Sequence, residues 1–156
     1  MSLEKAKACL KEFNLESRIM EFDTSSATVK EAAEAIHCQE KDIAKSLSFL
    51  VGDKAILIVT AGDQKIDNAK FKAEYGVKAK MVPFEDVEHM IGHEVGGVCP
   101  FGVNEGIDIY LDVSLKRLEY VYPACGSHNS AVKLTIDELE RTSHFLKWVD
   151  VCKSIE

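Results

Sequence analysis

Apolar residues near the start of the chain recur at helical spacing. The residues that define this pattern are Leu3, Ala6, Leu10 and Phe13. They predict a first amphipathic helix. A second helix is predicted over residues 28–37, because Thr28 and Glu31 have the spacing of a capping box ahead of an apolar face. Later helices are predicted to begin at Asp67, Pro83, Asp112 and Thr135.

Between these helices, short apolar runs have the length of strands. Residues 46–51 and 55–60 are predicted as two strands of a hairpin, because Gly52 and Asp53 suit a tight turn. The unbroken run AILIV in the second strand is typical of a strand covered on both faces. Further strands are predicted over residues 18–22, 109–111, 120–123, 131–134 and 147–152, and a short helical turn over residues 41–44.

These strands and helices mix without a regular βαβ period. The mixture predicts an α/β fold of α+β character, with a curved, mainly antiparallel or mixed sheet wrapped by helices. Because the 156 residues contain neither a repeat nor a linker, a single domain over residues 1–156 is predicted. The apolar runs are far shorter than a membrane span, so no membrane partner is expected.

Charge narrows the range of partners. The formal net charge is −7, whereas a protein that lies along DNA usually presents a basic face, so no DNA partner is expected. The charge is also uneven, since residues 65–80 contain five lysines while residues 81–112 contain seven acids and neither lysine nor arginine. This pattern fits either two solvated faces of opposite sign or a small basic strip beside an acidic pocket rim.

Cysteine usage points to a reducing compartment. The five cysteines are Cys9, Cys38, Cys99, Cys125 and Cys152. Their odd number and the lack of a Cys-x-x-Cys pair argue against a disulfide framework and a cysteine-built zinc site. The first residues are charged throughout, unlike a signal peptide, so a cytoplasmic location is expected.

Residues 92–106 form the most unusual segment, GHEVGGVCPFGVNEG. Five glycines and one proline in fifteen residues do not suit a helix or a central strand. The segment is predicted to bring its main chain close to a ligand. The alternative is an ordinary long turn, and the segment has no phosphate-loop pattern.

Several motifs occur together in one order along the chain. They are Lys45-Ser46-Leu47 before a strand, Gly92, the residues 96–102, Asp112 after a strand, and Gly126 ahead of a strand with Val132 and Leu134. This ordered set resembles the YbaK/ProX/EbsC family, which includes the inserted editing domain of bacterial prolyl-tRNA synthetases. The resemblance covers roughly residues 20–145.

The resemblance implies a pocket for the aminoacylated 3′ end of tRNA and hydrolysis of the ester of a wrong amino acid. It implies tRNA-Pro carrying a small amino acid such as Cys or Ala as substrate, no cofactor and no metal. Prolyl-tRNA synthetase is a further candidate partner. Lys45 matches the essential lysine of the family. The positions that match its substrate-binding walls are Gly96, Gly97, Val98, Cys99, Pro100, Phe101, Gly102, Gly126, His128 and Asn129.

Residue chemistry agrees with this role. An aminoacyl ester is an activated acyl group, so hydrolysis needs a positioned water and a stabilised oxyanion but no protein nucleophile. The ammonium of Lys45 could supply a point charge for a phosphate or an oxyanion, although on residue type alone it could be a surface lysine. From the basic strip, the candidates for tRNA contact are Lys65, Lys70 and Lys72.

Alternatives remain open for individual residues. Cys99 with His93 or His128 would suit a Cys-dependent hydrolase, and His89 with His93 could share a helix face as metal ligands. Phe101 could belong to the core or stack on the terminal adenine. A non-catalytic module that binds aminoacyl-tRNA or a synthetase would use the same pocket.

One position departs from the family pattern. The family's Cys-tRNA deacylases tend to carry an acidic residue a few positions after the glycine that matches Gly126. Here that position holds Ala131, which leaves the amino acid open.

Overall fold

The computed structural model describes residues 2–155. Its α-helices are α1 Ser2–Lys11, α2 Val29–Ile36, α3 Asn68–Tyr75, α4 Val87–Ile91 and α5 Ile136–Ser143. Its strands are β1 Ile19–Glu21, β2 Ile43–Val51, β3 Lys54–Ala61, β4 Gln64–Ile66, β5 Asp108–Asp112, β6 Tyr120–Pro123, β7 Ser130–Val132, β8 Leu134–Thr135, β9 Lys147–Val149 and β10 Cys152–Ser154. Short 3-10 helices are Glu16–Arg18, Glu40–Asp42, Phe84–Asp86 and Val113–Arg117.

The main sheet has six strands in the order β8-β6-β2-β3-β5-β9. The pairs β8/β6 and β2/β3 are antiparallel, whereas β6/β2, β3/β5 and β5/β9 are parallel. The α/β fold is therefore confirmed, and of the two predicted alternatives, a mainly antiparallel or a mixed sheet, the structure has the mixed one. The reason is the long crossover over residues 62–107, which returns the chain beside β3 in the same direction.

Two small ribbons accompany the main sheet. β1 pairs with β7, and β4 pairs with β10, both antiparallel. The second ribbon forms because the predicted strand over 147–152 is divided into β9 and β10, which pair with different partners. The predicted strand over 131–134 is likewise divided between β7 and β8.

Local capping signals were predicted correctly. Thr28 with Glu31, and Thr135 with Glu138, form complete capping boxes at α2 and α5. Asp67 accepts a hydrogen bond from the main-chain N–H of Lys70 at the start of α3. Asp112 caps the helix over 113–117, but that helix is of the 3-10 type.

Other boundaries differ from the predictions. The helix predicted over 83–91 is a 3-10 turn followed by the five-residue helix α4. β2 begins at Ile43, and the helical turn before it ends at Asp42. Lys45 therefore lies inside β2 and not at its start, because β6 extends the sheet by pairing with Ile43 and Ala44.

The central hairpin separates two hydrophobic clusters. One face of β3 contributes Leu57 and Val59 to the larger cluster, and the other face contributes Ile56 and Ile58 to the smaller one. All four side chains are almost completely buried, which confirms the prediction that this strand is covered on both faces. Within residues 2–155, no helix is long and apolar enough to cross a membrane.

Candidate functional site

A pocket of about 500 Å³ opens beside β2. Its walls come from β2, the start of α2, the turn before α4, the glycine-rich segment and β7. The lining residues are Ser26, Ala27, Thr28, Val29, Ala32, Ile43, Ala44, Lys45, Ser46, Leu47, Ser48, Met81, Val82, Phe84, Val87, Val95, Gly96, Val98, Tyr122, Ala124, Ser130 and Ala131. Hydroxyl groups and one lysine thus meet a largely apolar surface.

The edge of β2 forms one wall of this pocket. β6 pairs with β2 only at Ile43 and Ala44, and farther along the Ser48 carbonyl accepts from the Val82 N–H at 3.1 Å. In an antiparallel strand the main-chain groups of alternate residues point to the same edge. The N–H and C=O of Ser46 therefore point, like those of Ser48, away from β3 and towards the pocket side.

Lys45 occupies a half-buried position in this wall. Its ammonium donates a hydrogen bond to the carbonyl of Gln64 in β4. Burial lowers the pKa of Lys45, while Cys152 and Asp63 act in the opposite direction. An ammonium carries three donors, so the contact with Gln64 leaves capacity for a ligand oxygen.

Ser46 supplies a second polar group at the same place. Its hydroxyl oxygen is buried and has no hydrogen-bond partner within residues 2–155. The other hydroxyls of the pocket include Thr28, which caps α2, and Ser130, which accepts from Ser127 at 2.7 Å. Because buried polar groups are nearly always paired, the unpartnered hydroxyl of Ser46 marks a polar position in the pocket wall, which a ligand would reach only after a local shift.

The first half of the glycine-rich segment faces the pocket. Gly96 and Val98 line it, and the Gly126 N–H donates to the Gly97 carbonyl at 3.0 Å. A Cβ atom at Gly97 would collide with the main chain of Gly126 and Ser127. The glycine-rich segment and the segment that begins at Gly126, which are the two predicted walls, are therefore in contact. Glycine at position 97 permits this contact.

The second half of the segment turns into the core. Cys99 and Phe101 are completely buried in the larger hydrophobic cluster, and Pro100 is buried between them. Gly102 has φ +70° and lies against the main chain of Lys5. These four residues therefore lie outside the pocket lining, because the side chains of 99 and 101 supply core volume.

Cys99 has a histidine nearby, but its surroundings disfavour a thiolate. Its Sγ lies 3.6 Å from Nε2 of His93, and that nitrogen lies 2.6 Å from the Phe101 carbonyl oxygen. Burial raises the pKa of the Cys99 thiol well above its usual range and lowers the pKa of His93. A catalytic thiol requires a depressed pKa and access to substrate, and Cys99 has neither.

The second predicted wall consists of Gly126, His128 and Asn129, and these residues also lie in different surroundings. Gly126 is buried, with φ +90°, against the main chain of Ser2 and Leu3. His128 and Asn129 line a separate groove of about 1050 Å³. In that groove Nδ1 of His128 lies 3.4 Å from a carboxylate oxygen of Glu94. The pocket itself is lined by Ser130 and Ala131, directly after these residues.

The predicted basic strip lies partly on the β4/β10 ribbon. Lys65 is exposed and stands opposite Lys153 in the register. Lys70 is bonded to Asp150 at 3.1 Å and to the Cys152 carbonyl at 2.9 Å, while Lys72 is exposed. Lys153 was missed, because the pairing of β4 with β10 cannot be read from local sequence.

The histidine pair considered for metal binding does not share a helix face. His89 is exposed on α4, whereas His93 follows Gly92 and is completely buried. Over residues 2–155, no group of three or more His, Cys, Asp or Glu side chains is placed to hold a metal ion.

Sequence reasoning also missed the apolar rim. Met81, Phe84 and Val95 line the pocket and are 56%, 74% and 40% exposed, respectively. The sequence does not reveal this rim, because its pattern predicts Phe84 inside a helix over 83–91, whereas the structure has a 3-10 turn there.

Comparisons with known proteins agree with this arrangement. The aminoacyl-tRNA editing domain model matches residues 23–142. The uncharacterized protein YwhH of Bacillus subtilis (strain 168) is 52% identical over 157 residues, with both chains covered completely. The proline--tRNA ligase of Shouchella clausii (strain KSM-K16) is 32% identical over 137 residues, which are 83% of this chain and 23% of the ligase.

A solved structure has the same fold. It is described as a proposed trans-editing enzyme for prolyl-tRNA synthetase, and it superposes with a TM-score of 0.87 at 27% identity over 98% of each chain.

Proposed function

The chain belongs to the aminoacyl-tRNA editing domain family, and we propose that it is a deacylase that removes wrongly attached amino acids from tRNA. One observation carries the proposal: Lys45 and Ser46, whose hydroxyl has no hydrogen-bond partner within residues 2–155, line the same pocket. The glycine-rich turn at Gly96 closes the pocket on the opposite side. A pocket with a few polar groups in apolar walls suits a small acyl ester.

In this mechanism a water molecule attacks the carbonyl carbon of the aminoacyl ester. Negative charge develops on the carbonyl oxygen, and a donor placed there lowers the barrier. The Lys45 ammonium supplies that charge-assisted donor, or holds the adjoining phosphate so that the ester is aligned. Collapse of the tetrahedral intermediate breaks the ester C–O bond, and the ribose oxygen leaves with a proton. The products are the free amino acid and deacylated tRNA.

The pocket favours a small amino acid. Of the described residues that line it, none is Asp or Glu, so the substrate's ammonium group would be met by oxygens such as the Ser46 carbonyl. Val87 and Val98 contribute an apolar surface, and Ala131 stands where an acidic residue would favour cysteine. We therefore propose Ala or Cys as the amino acid removed, with Ala131 favouring Ala.

The relatives supply the proposed tRNA and partner. Several are proline--tRNA ligases, which supports tRNA-Pro as the substrate and the ligase as a partner in the cytoplasm. Lys65, Lys70 and Lys72 are proposed to contact the tRNA. Because Lys70 is already paired with Asp150, Lys65 and Lys72 would contribute more. No cofactor is needed for this reaction.

The proposal is tested with purified protein and a panel of mischarged tRNAs. We expect catalytic amounts of protein to release Ala or Cys from tRNA-Pro while correctly charged Pro-tRNA persists. Stoichiometric binding without turnover would instead identify a binding module. Release that depends on an added ligase would show that the partner is required.

A further inference from the structure

The most exposed large apolar side chain within residues 2–155 stands at the mouth of the pocket. Phe84 is 74% exposed and lines the pocket together with Met81, which is 56% exposed. An aromatic ring left in water forgoes the stabilisation of burial, and exposed apolar groups beside a cleft mark binding surfaces. The exposed ring of Phe84 beside Met81 at the pocket is therefore a candidate contact for a ligand.

The backbone that carries Phe84 is held in place on both sides. The Val82 N–H donates to the Ser48 carbonyl at 3.1 Å, and the Asp86 N–H donates to the Pro83 carbonyl at 2.9 Å. Val87, directly after this turn, is buried. The ring is thus presented on an anchored turn, which lowers the entropy lost when it binds a flat partner.

Charge around Phe84 selects the kind of partner. The adjoining groove is mainly acidic, because Glu4, Glu85, Glu88 and Glu94 line it with Lys5, and this charge disfavours a phosphate there. Lysines not accompanied by this acidic cluster lie at Lys45 in β2 and on the β4/β10 ribbon. An uncharged aromatic ring system therefore fits the Phe84 side, and a phosphate fits the lysine side.

We propose that Phe84 stacks on the terminal adenine of the tRNA and so positions the ester at Lys45. This inference rests on the proposed function, because it takes the acceptor end as the ligand. Phe101, the aromatic residue considered from sequence, is completely buried and has no face free for a base. Stacking on an exposed ring is the usual way to hold an unpaired base.

The first test measures binding without turnover. Wild-type protein is titrated with adenosine 5′-monophosphate, which stands for the terminal nucleotide, and binding is followed by NMR shifts of the ring protons. We expect Phe84→Ala and Phe84→Leu to weaken binding about tenfold, while Phe84→Tyr stays within about twofold. Equal binding by the leucine variant and the wild type would overturn stacking, because leucine keeps the apolar contact without the ring.

The second test uses deacylation kinetics and a matched control. Phe84→Ala should raise KM about tenfold and change kcat less than threefold, since stacking acts on binding. Leu146→Ala is the control, because Leu146 is 61% exposed and does not line the pocket; it should behave as wild type. An unchanged KM in Phe84→Ala would refute the role of Phe84. A third outcome separates the two proposals. If no tRNA is deacylated but binding of adenosine 5′-monophosphate still depends on the Phe84 ring, the proposed function is wrong and the adenine-binding role of Phe84 is supported.

Discussion

The two halves of the glycine-rich segment differ in what they contact. Gly96 and Val98 line the pocket, whereas Cys99 and Phe101 are completely buried in the core. The first half is thus available to substrate, and the second anchors the first. The comparison shows that a segment with an unusual composition is not uniformly a binding site.

The same comparison separates two candidate reactive groups. Lys45 is half-buried beside the pocket, and its ammonium donates a hydrogen bond to the Gln64 carbonyl. Cys99 is enclosed, and burial raises the pKa of its thiol. A group that must meet substrate needs access as well as chemistry, and of these two residues only Lys45 lines the pocket.

Replacement of Lys45 should have the largest effect on activity. Lys45→Met removes a charge-assisted contact in the transition state, and deacylation should fall roughly tenfold to a thousandfold. Because burial lowers the pKa of Lys45, its charged form is disfavoured in the folded protein. Lys45→Met also removes the hydrogen bond to the Gln64 carbonyl, which acts in the opposite direction, so the melting temperature should change little.

Single-turnover assays with mischarged tRNA measure the loss of deacylation in Lys45→Met, and thermal melts measure its melting temperature. Lys54→Met is the control, since Lys54 is exposed and pairs with Asp108 away from the pocket. Wild-type turnover by Lys45→Met would remove Lys45 from the mechanism.

Gly97→Ala tests whether the first half of the glycine-rich segment needs its close contact with Gly126 and Ser127 for stability and activity. The added Cβ would collide with the main chain of Ser127. We expect a loss of about 1–3 kcal/mol in the free energy of unfolding and at least a tenfold loss of activity. Gly106→Ala is the control in the same segment, because nothing lies within 4 Å of its Cβ and only its φ of +86° opposes alanine.

Urea unfolding and deacylation are measured for both variants. Gly106→Ala should cost about 1 kcal/mol and leave activity near wild type. A Gly97→Ala protein as stable and active as the wild type would show that the two walls can move apart freely.

Local features of this fold were predictable from sequence, and non-local ones were not. The Thr28–Glu31 and Thr135–Glu138 boxes involve residues three positions apart, so the chain signals them directly. The pairing of Lys65 with Lys153 joins residues far apart in the chain. Such pairing depends on how the whole sheet closes, which local patterns do not encode.

The site shows the same division. Lys45, Gly96 and Val98, which belong to the ordered motifs, line one pocket in the structure. The motifs could not say which side chains of residues 96–102 point outwards, because alternation between pocket and core is set by tertiary packing. The exposure of the Phe84 ring could not be predicted either, because the α-helix in this region begins only at Val87 and is shorter than the sequence pattern predicts.

Charge reversal on the ribbon should affect tRNA binding moderately. Lys65 and Lys153 are opposite each other and exposed, a like-charge arrangement that disfavours the sheet unless an anion joins them. The double variant Lys65→Glu, Lys153→Glu should weaken tRNA binding about tenfold. For the wild type, we expect the slope of log K against log salt to correspond to roughly two to four neutralised phosphates. In the double variant this number should fall by roughly two.

Binding isotherms at several salt concentrations measure both quantities. Lys70→Gln tests the contact that we expect to contribute less, since the ammonium of Lys70 already pairs with Asp150, and its effect should be below about threefold. A larger loss for Lys70→Gln than for the double variant would place the tRNA on α3 instead of the ribbon.

Replacement of Cys99 should have the smallest effect on activity and so completes the comparison. Cys99→Ala removes a buried sulfur and should lower stability by about 1–2 kcal/mol, while deacylation stays within about tenfold of wild type. The reason is that Cys99 lies outside the pocket lining and its thiol is enclosed beside His93. Activity is measured at a temperature where the variant is fully folded, and rapid-quench experiments should detect no acyl-enzyme. A thousandfold loss of deacylation in folded Cys99→Ala, or a trapped thioester, would instead identify Cys99 as the catalytic nucleophile.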